Sequence, residues 1–292
     1  GLDVTTPVHR AMEFMAERVD ELSAGRMRID IYPSEQLGTE RQLLELLQIG
    51  SVGMTKVSAA VLENFDPMFQ VLSLPYIFRD EAHHFDVLDG PIGSELLLGL
   101  EPYRLRGVTF YDAGSRSVYT KDRPVTGPAD LDGLKLRTQE SATAMELVRR
   151  LGGSPTPIAW GELYSALQQG IVDGAENNPP SFHLSGHYEI ARYYTLNEHT
   201  RVPDVVLIST SVWNDLSEEE RAWLTEAVAA STERQRLLWR EAVDEALREV
   251  EAAGVEVIRP AVTPFSDAVE GMYEAYRDDP EIYSLIERIR GS

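Results

Sequence analysis

The chain has 292 residues, 43% hydrophobic and 26% charged, enough for two lobes or one large α/β domain. A formal charge of −21 at pH 7 argues against nucleic acid and anionic membrane as partners, since both need a basic footprint. Without cysteine there are no disulfides, no thiolate catalysis and no cysteine-ligated zinc, and no apolar run nears the ~18 residues of a membrane span.

Taken in chain order, Gly1 opens no signal peptide, as expected of a mature, processed or trimmed chain. Thr6-Pro7 start a helix with Met12, Met15, Val19 and Leu22 on one stripe, and Gly25 stops it. Met27–Tyr32 alternates and reads as a strand closed by Pro33. A helix over 40–49 ends at Gly50 and gives way to a strand near Met54–Ser58. Leu134 and Leu136 alternate with Lys135 and Arg137 on a short strand, after which Ser141 caps a helix stopped by Gly152-Gly153. Thr156–Ala159 reads as a strand, Trp160–Gln169 as a helix, and Ile171–Gly174 as the start of another strand. Ser217-Glu-Glu-Glu220 is a capping box opening a helical pattern that runs to about Ala253. Val255–Arg259 and Pro264–Tyr276 follow as strand and helix.

One pattern occurs twice. Leu47-Gln-Ile-Gly-Ser-Val52 and Leu167-Gln-Gln-Gly-Ile-Val172 share L-Q-x-G-x-V where a helix turns into a strand, which suggests two similar α/β lobes. Alternating helices and strands place ligand sites near strand ends.

Elimination narrows the chemistry. Glycine-rich phosphate loops and the nucleophile elbow are absent. His183 and His187 are spaced i, i+4 but lack further metal ligands, so both read as surface or capping histidines, and no metal or cofactor is expected. Glu198-His199 is a possible acid/base pair with no third orienting group. More informative are Arg137 at a strand end, Arg116 in Gly114-Ser-Arg-Ser117, Glu176-Asn177-Asn178-Pro179 after a strand, and Glu63-Asn64. On the residues alone, each arginine pairing with a nearby carboxylate and each asparagine serving a turn is the plainer reading.

The ordered motifs resemble the DctP-type substrate-binding proteins of TRAP (tripartite ATP-independent periplasmic) transporters over nearly the whole chain. They are Asp130-Leu-Asp-Gly-Leu-Lys-Leu-Arg137, Leu151-Gly-Gly-Ser-Pro-Thr-Pro157 and the run from Glu162 through Val172-Asp-Gly-Ala-Glu-Asn177, with support from Tyr32-Pro-Ser-Glu-Gln-Leu-Gly38 and Gly114-Ser-Arg116. The resemblance implies a two-lobed α/β periplasmic binding protein, type II-like, with a ligand cleft between lobes and a long C-terminal connecting helix. Lobe I is expected over 1–114 plus 203–242 and lobe II over 115–202 plus 243–292. The implied protein is periplasmic, a monomer and not an enzyme, serving a membrane permease.

The resemblance also implies that Arg137 grips the ligand carboxylate, with Arg116 and Asn177 assisting. Gln139 enters because Arg137-Thr138-Gln139 departs from the family's R-V-P, and the first-lobe strand before residue 1 is expected to be missing or trimmed. Gly174–Phe182 and Asn197–Thr200 look like members binding uronates. Glu63, Asn64, Gln139, Asn177 and Asn178 can then meet hydroxyls, His9 can reach from the first lobe, and Trp160 either stacks on the sugar or packs in the core. A C4-dicarboxylate or 2-oxo acid is the alternative, an enzyme acting on a small acid or a sensor's input domain a more distant one.

Overall fold

The computed structural model describes residues 3–292. The chain forms two compact units: one takes residues up to Ser58, Ser94–Asp112 and Pro203–Ala242, the other Ala59–Gly93, Ala113–Val202 and Val243–Ser292.

In the first unit, β1 (Met54–Ser58) and β2 (Leu105–Tyr111) flank β8 (Asp204–Ser209), all antiparallel. The helix Pro7–Ser23, capped by the Thr6 hydroxyl, packs Met15 and Val19 against Ile208, Leu224 and Val228. Lys56 of β1 is buried between Asp204 (3.2 Å) and Glu40 (3.3 Å). Burial works against its charge, but Asp204 and Glu40 outweigh that and raise its pKa above the ordinary lysine value.

The expected strand over Met27–Tyr32 does not form. The alternation is present, but among the described residues no strand pairs with it. A cavity of about 330 Å³, lined by Met12, Met15, Ile29, Ile31, Val52 and Met54 among others, lies along that segment and β1. An alternating segment becomes a strand only where another edge takes up its backbone groups.

The second unit holds a six-stranded sheet in the order β5-β4-β6-β3-β7-β9. Its strands are β3 (Arg116–Thr120), β4 (Lys135–Thr138), β5 (Ser154–Pro157), β6 (Gly174–Asn177), β7 (Tyr193–Thr200) and β9 (Glu256–Ile258). Tyr119, Leu163, Leu167, Phe182, Tyr194 and Val250 form its core. The helix Glu218–Ala252 has 35 residues and starts at the capping box, with Glu220 N–H donating to Ser217 Oγ and Ser217 N–H to Glu220 Oε2. Its residues to Ala242 belong to the first unit and those from Val243 to the second.

Residues 59–93 pack with the second unit, not with the lobe I expected over 1–114. Named bonds hold them there. Tyr76 N–H donates to His199 O at 2.9 Å, Asn64 Nδ2 to Glu140 O at 2.8 Å, and Tyr273 Oη to Pro75 O.

The repeated L-Q-x-G-x-V acquires a physical reason. Gly50 (φ 75°) and Gly170 (φ 71°) both take the left-handed region just past a helix. The next residues close each end alike: Ser51 N–H reaches Leu46 O at 3.0 Å and Ile171 N–H reaches Ala166 O at 2.9 Å. β1 and β6 each begin four residues after the glycine.

Candidate functional site

Strand direction gathers the polar residues. β4 runs parallel to β6, while β3 runs antiparallel to it, with Ser117 opposite Asn177. The first residue of β3, Arg116, therefore lies at the sheet end where β4 finishes with Arg137-Thr138 and β6 with Glu176-Asn177. A strand was expected to start at Ile171, with Glu176-Asn177 following it. It starts at Gly174 instead, so both residues are in the sheet. Gly174 suits that crossing because a Cβ there would sit 2.2 Å from Tyr119 O.

Arg116 is 5% exposed and forms a buried ion pair. Its Nε donates to Glu176 Oε2 (2.6 Å), its Nη2 to Glu176 Oε1 (2.8 Å) and to the Glu176 carbonyl (2.9 Å), and its Nη1 to Asn177 Oδ1 (2.9 Å). His199 Nε2 lies 3.3 Å from the same carboxylate and its Nδ1 3.1 Å from Asn197 Oδ1. Burial alone would raise the Glu176 pKa, but Arg116 and His199 together outweigh it and hold the carboxyl at about 2. The carboxylate facing His199 is thus Glu176 of β6, reached across the intervening β3, and not its sequence neighbour Glu198.

Arg137 is 3% exposed. Its Nε donates to the Ile158 carbonyl at 2.8 Å, and its Cζ lies 5.8 Å from the centre of the Trp160 ring. Because Nε is held by that carbonyl, a carboxylate would be met end-on, by Nη1 and Nη2.

Of the other expected site residues, Asn178 is buried and caps the helix Pro179–Leu184, accepting from Ser181 N–H at 2.8 Å, while its own N–H donates to Asn177 Oδ1. Gln139 follows β4 directly and is half-buried. Glu63 is buried with Oε1 accepting from Thr143 N–H at 3.3 Å, at the start of the helix Ala142–Arg150. Burial raises its pKa, only partly countered by Ser141, Thr143 and Ala142. Asn64 is exposed and ties the Val61 and Glu140 carbonyls, a turn role. His9 belongs to the first unit, where its Nε2 is 3.1 Å from Glu13. Trp160 opens a short 3-10 turn and backs Arg137.

His187 corrects an expectation. It was expected as a surface or capping residue, yet it is 1% exposed, bonded through Nδ1 to Tyr119 Oη at 2.9 Å. The signal missed was its setting in Gly186-His-Tyr188, a turn whose aromatic neighbours close over the core.

Known proteins are similar to this chain over most or all of its length. A TRAP periplasmic solute binding protein from Bradyrhizobium sp. BTAi1, in complex with α/β-D-galacturonate, is 39% identical with a TM-score of 0.97, covering 100% of this chain and 97% of that one. Another from Anaerococcus prevotii, with bound α/β-D-glucuronate, is 37% identical with a TM-score of 0.97, covering 99% and 95%. The C4-dicarboxylate-binding periplasmic protein DctP of Rhodobacter capsulatus is 32% identical over 253 residues, 85% of this chain and 75% of that protein. Residues 2–279 match the model of the DctP family, bacterial extracellular solute-binding protein, family 7, and the chain belongs to that family.

Proposed function

We propose that this protein captures a hexuronate, D-glucuronate or D-galacturonate, in the periplasm and delivers it as a monomer to a TRAP membrane permease, without chemical turnover. The observation that carries the reading is the division of labour between the two buried arginines. Arg116 commits Nε, Nη1 and Nη2 to Glu176 and Asn177, whereas Arg137 is held at Nε by a neutral carbonyl, so Arg137 is read as the grip on the ligand carboxylate. A single grip of that kind suits a ligand with one carboxylate. The uronate-bound structures at 37–39% identity support the same choice.

In this reading Arg137 forms two parallel charge-assisted bonds to the carboxylate, a geometry lysine cannot copy. Asn177 and Asn178 spend Oδ1 inside the protein and offer Nδ2 to ring hydroxyls, with Gln139 alongside. Arg116 acts by fixing Asn177. A C4-dicarboxylate or 2-oxo acid is the second reading; the Rhodobacter capsulatus relative favours the C4-dicarboxylate.

Calorimetric titration with D-glucuronate, D-galacturonate, succinate, malate and pyruvate separates the two. Saturable heat with a uronate, and the uronate recovered unchanged, is the expected outcome. A response to succinate, malate or pyruvate with none to either uronate would overturn the choice.

A further inference from the structure

Beneath Arg137 the second unit holds a line of rings that a charge clamp by itself does not require. Two groups that hold Arg137, the Ile158 carbonyl and the Trp160 indole, sit two residues apart where the chain leaves β5 and enters a 3-10 turn. Behind that turn stands His187, its ring edge-on to Trp160 with centroids 5.1 Å apart and planes at 60°. His187 in turn hangs from Tyr119 Oη, whose side chain is fully buried.

We propose that His187 is a positioning residue for the Arg137 clamp: bonded to Tyr119, it braces the Ile158–Trp160 turn, and the turn aims the guanidinium. The proposal rests on the reading of Arg137 as the carboxylate grip.

Histidine suits the place better than its substitutes. An apolar side chain could pack against Trp160 but would strand the buried Tyr119 hydroxyl. A residue kept charged there would add a second cation beside Arg137. The groups facing the imidazole are Tyr119 from β3, Arg137 from β4, Trp160 from its turn, and Tyr164 from the helix Leu163–Gln168, 6.4 Å away. Glu189, in His187's own turn, accepts from Tyr164 Oη at 3.1 Å rather than serving the imidazole. Burial first, and Arg137 second, lower the His187 pKa to about 4, so the ring is neutral at the working pH.

The test uses His187→Leu and His187→Asn, each in the native and the Arg137→Ala background. The first readout is calorimetric affinity for D-glucuronate at pH 7.5. The second is the NMR signal of Arg137 Nε–H in ligand-free protein, held by Ile158. His187→Leu is expected to lose about tenfold in affinity, the scale of a direct coupling between neighbours, and to broaden the Nε–H signal. His187→Asn, which keeps a hydrogen-bonding atom for Tyr119 but puts no ring against Trp160, restores only part of both. In the Arg137→Ala background the His187 substitutions change nothing further.

An unchanged Nε–H signal in His187→Leu, or an equal loss of affinity with and without Arg137, overturns the proposal. Should His187→Leu fail to fold, Tyr119→Phe releases the same ring and is read by the same signal. If the native protein binds no uronate, the uronate reading falls, while the Nε–H signal still decides the role of His187.

Discussion

Arg137→Lys keeps the charge and removes the geometry, and its effect can be worked from the contacts. In the native protein Nε is committed to Ile158 O at 2.8 Å, and Cζ lies 5.8 Å from the centre of the Trp160 ring. In the proposed reading, the fork beyond it makes two parallel bonds to the ligand carboxylate. A lysine ammonium has three donors on one flexible atom, so it can satisfy the Ile158 carbonyl or the carboxylate well, but not both in fixed alignment. The loss is at least one charge-assisted bond, about 1.5–3 kcal/mol, which corresponds to roughly a 10- to 150-fold weaker Kd. Calorimetry with D-glucuronate measures it, with the thermal midpoint of the ligand-free variant as a check on folding. A folded Arg137→Lys whose affinity stays within about threefold of native, under 1 kcal/mol, refutes the bidentate clamp.

Glu176→Gln strands the Arg116 charge and is expected to cost about 3–5 kcal/mol by urea unfolding. The native carboxyl has its pKa lowered to about 2 from 4.5, so its stabilisation is complete above pH 4.5 and lost as pH falls toward 2. The native-minus-variant difference must therefore shrink over that window; a difference constant down to pH 2 contradicts the pairing. Gly174→Ala puts a Cβ 2.2 Å from the Tyr119 carbonyl, between β3 and β6, and is expected to destabilise by about 3 kcal/mol or more. A soluble Gly174→Ala protein melting at the native temperature would show that the two strands have slack.

Local signals carried much of the fold. Ser141, Ser217 and Thr6 cap the helices they were expected to cap, and Arg137 sits near the end of the strand that Leu134 and Leu136 announce. Non-local partners explain the rest. Met27–Tyr32 has the alternation of a strand, but pairing depends on an edge elsewhere in the chain. Glu176 and Asn177, expected just after a strand, lie within it because Gly174 can cross Tyr119 so closely, a contact between residues 55 apart in sequence. In the site, the arginines were legible as a pair but not as opposites. Arg116 took the plainer reading, an ion pair, while Arg137 is fixed by a carbonyl and an indole. His187 was misjudged because exposure cannot be read from a polar residue's name when its partner, Tyr119, is 68 residues away.

The buried position of Arg137 has a kinetic consequence. The chain as a whole carries −21, so the proposed uronate would approach against a repulsive field and feel the guanidinium only at short range. Dissolved salt screens the long-range repulsion within a Debye length of about 8 Å at 0.15 M, yet barely reaches a desolvated contact. Raising ionic strength should therefore speed association while leaving the dissociation rate nearly unchanged. Capture would be fastest in brine, the reverse of what an electrostatically steered pair of opposite charges shows.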